Sequence, residues 1–251
     1  MKELLNLAMD IGEQMLVSGA EVHRVEDSMY RICRSFGAER VDVFIITSSM
    51  VVTVHFDDGH IHTETRRIVS LGTDFHKLDR LNQLSRRICA ESMTAQEIRG
   101  ELTSIINGKR YSFLSECLAY AVIAAAFTLF FGGNWMQVAV ALLIGAFLRI
   151  VAFFSDSTVK NIFFSKFISA FTLAAAAYLF LKLGLVPRTD EIIIGNIMIL
   201  IPGLGLTNAL RDLFTGDSVA GALRTLEAVL CAVAIAAGYF LFVFLTGGHA
   251  V

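Results

Sequence analysis

Residues 135–154 read WMQVAVALLIGAFLRIVAFF, twenty residues with a single charge, Arg149. A helix rises about 1.5 Å per residue, so a stretch of this length matches a hydrocarbon core of roughly 30 Å. Four other stretches have the same character: 114–131, closed by Gly132-Gly133-Asn134, then 162–183, 192–210 and 226–245. Soluble core helices seldom follow one another at such lengths, so the five are read as membrane spans. Charge falls into step with them. Residues 1–110 hold 14 Lys/Arg and 16 Asp/Glu, whereas residues 111–251 hold 7 and 7. A soluble chain keeps about 25% charged residues throughout, which excludes a wholly soluble protein.

The fold class expected is therefore mostly α: a polytopic α-helical membrane protein with about five transmembrane helices and a small cytoplasmic α+β N-terminal domain. That domain is expected over 1–110, bounded by the polar stretch Asn107–Ser112, with the membrane domain over 111–251. Lys and Arg favour the cytoplasmic side. Placing the first 110 residues inside also places Lys160, Lys166, Arg211 and Arg224 there, with Arg149 near the inner end of its span. Only Lys182 and Arg188 remain outside. The segment from Met1 to Gln14 is amphipathic and charged, unlike a secretory signal. The expectation is a multi-pass protein of the cytoplasmic membrane, N-terminus inside and C-terminus outside.

In the first 110 residues, Leu4, Leu5, Leu7, Ala8, Ile11, Met15 and Leu16 recur at helical spacing, as do Val22, Val25, Met29, Ile32 and Cys33 over 20–36. Residues 41–47, 51–56 and 60–69 alternate as strands, with Asp58-Gly59 marking a hairpin between the last two. Helices are expected over 78–89 and 94–107. The second opens on Thr94 with Glu97 three residues on, the pattern of a capping box.

A net charge of −2 with no basic stripe excludes nucleic acid as a partner. Cys33, Cys89, Cys117 and Cys231 lack the spacing of a zinc or redox motif and read as reduced, buried thiols. His55, His60 and His62 crowd one hairpin, and on paired strands the latter two could both meet His55. A metal would need three or four such ligands held rigidly, and an exposed polar hairpin tip is the ordinary explanation. His23 and Glu26 lie at i, i+3 and can touch, as a helix surface or a domain contact. Neither a nucleophile elbow nor a phosphate loop occurs, and no cofactor is expected.

The fourth span carries more information. Pro202, one of two prolines in the chain, is followed by Gly203 and Gly205. Proline removes an amide donor and ends or kinks a helix. At membrane depth such a break is tolerated against protein or a water-lined cavity, and broken helices often form transporter substrate sites. Asn196, Pro202, Gly203, Thr207 and Asn208 are thus candidate substrate-binding positions, with Arg211 and Arg224 to attract a carboxylate. Asp212, Asp217 and Glu227 are candidates for carrying a coupling proton. Charges near span ends also snorkel to the interface or form structural pairs.

The stretch Ser18-Gly19-Ala20-Glu21-Val22-His23-Arg24-Val25-Glu26-Asp27 resembles the opening motif of the threonine/serine exporter family. So do Leu78-Asp79-Arg80-Leu81-Asn82 and the run Ile201-Pro202-Gly203, Thr207-Asn208, Arg211-Asp212, Gly216-Asp217 and Gly221, in the family's order. The resemblance implies a cytoplasmic N-terminal domain, several membrane helices, and export of small amino acids driven by the proton motive force. Full-length members look like two membrane halves in one chain. This sequence resembles the split version, in which a separate small membrane subunit supplies the second half. In one split branch the solute is a dicarboxylate such as succinate. The partners expected are the lipid bilayer, that small membrane subunit and a small carboxylate-bearing solute, with self-association left open. Two other classes fit the same composition: a membrane-anchored enzyme with its active site in the N-terminal domain, and a sensor or assembly subunit that transports nothing.

Overall fold

The computed structural model describes residues 2–69, 71–108, 111–158 and 161–247. Lys160, residues 109 and 110 of the expected domain boundary, and the C-terminal residues 248–251 lie outside the described residues. The elements in chain order are α1 (Lys2–Val17), α2 (Val22–Ser35), β1 (Arg40–Ile46), β2 (Ser49–His55), β3 (Ile61–Arg67), α3 (Phe75–Ala90), α4 (Ala95–Ile106), α5 (Phe113–Phe130), α6 (Trp135–Thr158), α7 (Ile162–Lys182), α8 (Asp190–Leu200), α9 (Gly203–Thr215) and α10 (Ser218–Leu245). They form two compact units. The first is Met1–Lys109 with Leu204–Thr225, and the second is Arg110–Gly203 with Leu226–Val251.

In the first unit, β1, β2 and β3 form an antiparallel meander in that order. The inner face of β2 buries Met50, Val52 and Val54, while its alternate residues are half-buried, as period-2 patterning requires. The apolar faces of α1 and α2 (Leu7, Ile11, Met15; Val22, Val25, Met29, Ile32) complete this core together with Leu81, Leu84 and Ile98 of α3 and α4, and Ala220 of α10. Burial pushes the Cys33 thiol up to about 12, so it packs as a small hydrophobe and supplies no thiolate. Cys89, by contrast, is exposed on α3 and Cys117 on α5 is half-buried, so only Cys33 and Cys231 meet the expectation of buried thiols. The capping box is present: the Glu97 N–H donates to Thr94 Oγ1, and the Thr94 N–H donates to Glu97 Oε2 at 2.7 Å.

The hairpin after β2 closes with the Phe56 N–H donating to the His60 carbonyl at 3.0 Å. The register corrects one expectation. His55 faces Ile61, and His62 faces Val54, so the pleat sends His55 and His62 to opposite faces of the sheet. His60 and His62 stack with ring centroids 6.3 Å apart, whereas His55 lies 3.7 Å from Asp42. The three histidines do not converge.

Four helices, α5, α6, α7 and α10, are each long and apolar enough to cross a membrane, and the broken pair α8–α9, whose second helix is assigned to the first unit from Leu204 on, counts as a fifth candidate span. Multi-pass membrane character follows from these lengths. Side chains of Ala124, Ile144, Leu148, Leu173, Ala177 and Ile192 form the interior of the second unit. Arg149, the one charge in the opening stretch, pairs with Glu116 near the start of α5 and lies 5.3 Å from the ring centre of Phe113. An arginine in an apolar helix is thereby neutralised and covered by an aromatic face. Gln137 Nε2 donates to Glu191 Oε2 at 2.7 Å, and Glu191 is also paired with Arg188.

Two helix ends differ from the hydropathy reading. α6 continues to Thr158, and α10 begins at Ser218, eight residues before the apolar run at 226. Hydropathy marks where a helix becomes apolar, and nothing in Ser218–Thr225 breaks a helix. Arg211 and Arg224, read as charges of a connecting stretch, are therefore on α9 and α10, separated by a turn at Gly216-Asp217.

Candidate functional site

Ser18 to Val22 links α1 to α2, and its backbone is held by partners from distant parts of the first unit. Gly19 has φ of +94°, which sends the chain from one helix into the next. A Cβ there would sit 3.0 Å from the Gly72 carbonyl oxygen. Gly19→Ala is accordingly expected to destabilise the unit by about 1–2 kcal/mol through the left-handed backbone alone. Chemical denaturation of the purified protein measures it, and an unchanged midpoint would contradict the reading.

Four successive carbonyls along this turn are each satisfied. The N–H groups of Gly72 and Asp74 donate to the Val17 and Ser18 carbonyls, both at 3.0 Å. Asn208 Nδ2 on α9 donates to the Gly19 carbonyl at 3.1 Å, and Arg224 Nη2 on α10 donates to the Ala20 carbonyl at 3.1 Å. Backbone groups withdrawn from water require such partners. Glu21 ion-pairs with Arg211 at 2.8 Å.

The N-terminus of α2 is completed from the same side. Glu21, at its N-cap, contributes no side-chain cap. Instead the Val22 N–H donates to Asp212 Oδ1 at 3.3 Å, from a residue 190 positions away. The positive end of a helix dipole favours a carboxylate there. Asp212 Oδ2 lies 3.0 Å from Arg224 Nη1, with side-chain exposures of 1% and 8% for the two residues. A buried charge pair of this kind holds together because removing either partner strands the other.

One further cluster belongs to this unit. One ligand atom from each of His23, Glu26 and Asp217 lies within 4.8 Å of the others, the only such group of three among the described residues. Glu26 Oε1 also accepts the Ile45 N–H at 3.1 Å. Burial and then the neighbouring Asp217 push the Glu26 carboxyl above its ordinary range, against the lowering pull of that N–H. These three residues are the ones that could hold a metal.

The candidate residues thus divide between the units. Asn208, Arg211, Asp212 and Arg224 converge on Ser18–Val22, and Asp217 joins His23 and Glu26 beside them. Thr207 is exposed on α9. Asn196, Pro202, Gly203 and Glu227 belong to the second unit. There the chain leaves α8 at Ile201-Pro202, and Gly203 opens α9. Asn196 is fully buried; its Nδ2 donates to the Ile192 carbonyl at 2.9 Å, and its Oδ1 has no hydrogen-bond partner. Glu227 is exposed on α10 and makes no ion pair among the described residues. Sequence reasoning missed the role of Ser18–Val22 as the docking point of α9 and α10. The available signal was that both stretches carry blocks of one family resemblance.

A family model described as a threonine/serine exporter matches residues 6–246. The chain is 29% identical over 246 residues to the threonine/serine exporter of Corynebacterium glutamicum, covering 94% of this chain and 50% of that protein. It is 24% identical over 251 residues to an Escherichia coli K12 protein named "Probable succinate transporter subunit YjjP", covering 94% of this chain and 92% of that one. It is 23% identical over 224 residues to Pheromone-regulated membrane protein 10 of Kluyveromyces lactis, covering 86% of this chain and 23% of that one. The chain therefore spans half the length of the first of these relatives and under a quarter of the last. No solved structure matches. With the family model matched over nearly its whole length, the chain belongs to the threonine/serine exporter family.

Proposed function

We propose that the chain is a subunit of a secondary-active exporter of a small carboxylate-bearing solute, driven by the proton motive force. The cargo is a small amino acid of the threonine/serine kind or a small dicarboxylate, the two classes named for relatives of this chain. The observation that carries the reading is the buried pair Asp212–Arg224 tied to the Ser18–Val22 turn.

A carboxylate that holds a buried guanidinium is a switch with two settings. Charged, Asp212 keeps Arg224 in place and caps α2. Protonated, it loses its hold on Arg224, which is then free to take the carboxylate of a solute in its stead. Protonation of Asp212 and solute binding at Arg224 are thereby linked, and such linkage is what lets a gradient of one act on the other. Arg211, whose side chain is 65% exposed, is a second guanidinium open to the solute. Within the first unit, Thr207 and Asn208 offer hydrogen bonds to polar groups of the cargo; Asn196 is a candidate of the second unit, where Pro202 and Gly203 interrupt the helix. Asp217 and Glu227 are the other carboxylates able to pass a proton.

We further propose that the protein is a multi-pass component of the cytoplasmic membrane, with residues 1–110 in the cytoplasm and the C-terminus outside, working with a second, small membrane subunit. The name "subunit" carried by the E. coli relative supports a partner, and the Lys/Arg distribution supports the orientation.

The test is solute efflux from vesicles carrying this chain, the partner subunit, or both, under an imposed proton gradient. Efflux of threonine, serine or succinate is expected only with both, and Asp212→Asn is expected to abolish its dependence on the gradient. Proton-driven flux unchanged in Asp212→Asn would refute the coupling role, and full export by the partner alone would refute the subunit role.

A further inference from the structure

His23 and Glu26 stand one turn apart on α2, and the α9–α10 turn brings Asp217 to the same face, so that one ligand atom from each lies within 4.8 Å of the others. The charge around this cluster is unbalanced. Neither Glu26 nor Asp217 has a lysine or arginine within ion-pair distance among the described residues; Arg211 pairs with Glu21 and Arg224 with Asp212. Asp217 Oδ2 is buried and has no hydrogen-bond donor among the described residues. A carboxylate oxygen shut away from water and from every donor is costly unless positive charge reaches it. His23, exposed, is the basic member of the cluster.

We propose that His23, Glu26 and Asp217 form a binding site for a divalent first-row transition cation of the Mn²⁺ or Zn²⁺ class. The donor set decides the class. One imidazole nitrogen with two carboxylate oxygens suits such ions, whereas Ca²⁺ takes six to eight oxygens and Mg²⁺ prefers oxygen ligands and retained waters. Three donors on bonds of about 2.0–2.2 Å, evenly spread, lie up to roughly 3.8 Å from one another, so from a spread within 4.8 Å each donor atom moves by at most about 0.6–0.8 Å to close the site. The Ile45 N–H on Glu26 Oε1 fixes that carboxylate from behind, the kind of outer contact that orients a ligand. The exposed side, at His23, leaves coordination positions open to water. The cation would tie the start of α2 to the turn between α9 and α10, beside the Asp212 cap and the Arg224 bond to Ala20. This holds whether or not the chain exports anything.

The test uses the full chain, purified in detergent, stripped with a chelator and titrated with Mn²⁺, bound metal being read from loss of the free-ion electron paramagnetic resonance signal. One Mn²⁺ per chain is expected, displaced by Zn²⁺, with a melting temperature that rises on metal addition. Changes to the hydrogen-bond partners of metal ligands alone cost about 10–100-fold in metal affinity, so His23→Ala, Glu26→Gln and Asp217→Asn are each expected to lose at least ~100-fold. His60→Ala, in the hairpin, is expected to bind as the parent does. His23 is exposed, so its variant should melt like the metal-free parent, which separates loss of binding from loss of fold. No binding of either ion by the parent chain at millimolar concentration would overturn the proposal. So would undiminished binding by both His23→Ala and Asp217→Asn.

Discussion

Asp212→Ala is expected to lower the stability of the first unit by about 3–5 kcal/mol, the effect of stranding a buried charge. For a unit of this size that corresponds to a fall in melting temperature on the order of 10 °C. The substitution leaves Arg224, only 8% exposed, without its counter-charge, and it uncaps the Val22 N–H at the start of α2. The unfolding of this unit can be followed by the heat-induced reaction of the buried Cys33 thiol with a maleimide dye. Replacing both partners, Asp212→Ala with Arg224→Met, is expected to recover much of the loss, since an apolar pair of similar volume is often as stable as the ions it replaces. The two changes should therefore be far from additive. A melting temperature for Asp212→Ala equal to that of the parent would show that the pair is not held out of water.

Gly238→Ala is expected to be the most damaging single-methyl change in the second unit. A Cβ at this position of α10 would lie 2.2 Å from the Phe167 carbonyl oxygen and 3.2 Å from the Phe167 Cα on α7. Those are backbone atoms, so no side-chain rotation relieves the clash and the helices must separate. Overpacking of this kind costs about 1–3 kcal/mol and sometimes more. Small residues that admit close backbone approach are what hold membrane helices together, since lipid offers no hydrophobic drive between them. Thermal unfolding in detergent should show the loss, and Gly238→Leu should exceed it. As a contrast, Gly100→Ala, where a Cβ meets nothing within 4 Å, should leave the melt unchanged or raise it. Equal melting of the parent and Gly238→Ala would show that α7 and α10 do not touch at this point.

What could be read from the sequence was governed by the range of the interaction. The span Trp135–Phe154, the capping box at Thr94 and Glu97 and the hairpin at Asp58-Gly59 depend on neighbours within a turn or two, and all were legible. The break at Pro202 was legible for the same reason, since a missing amide donor acts on its own helix. The facing of His55 was not, because it rests on the pairing of His55 with Ile61, a cross-strand register that composition does not specify. The start of α10 at Ser218 was also hidden, because those residues are polar enough to resemble a connection. Least legible was the convergence of Asn208, Asp212 and Arg224 on Ser18–Val22. Each residue had been singled out, as a charge near Pro202 or as part of a motif. The information that they grip the same five residues lies in tertiary packing alone.

The Asp212 cap on α2 has a consequence for biosynthesis. The Val22 N–H and its acceptor are 190 residues apart, and at about 5–20 residues per second a ribosome needs roughly 10–40 s to make that stretch. Through this interval the nascent N-terminal segment carries an α2 with its first amide uncapped, and the Gly19 and Ala20 carbonyls still await Asn208 and Arg224. Three membrane-length helices, α5 to α7, and the short α8 emerge in between. The first unit, although begun first, is thus completed only after the stretch 110–203 has been made, and its closure reports that the intervening helices have already been synthesised.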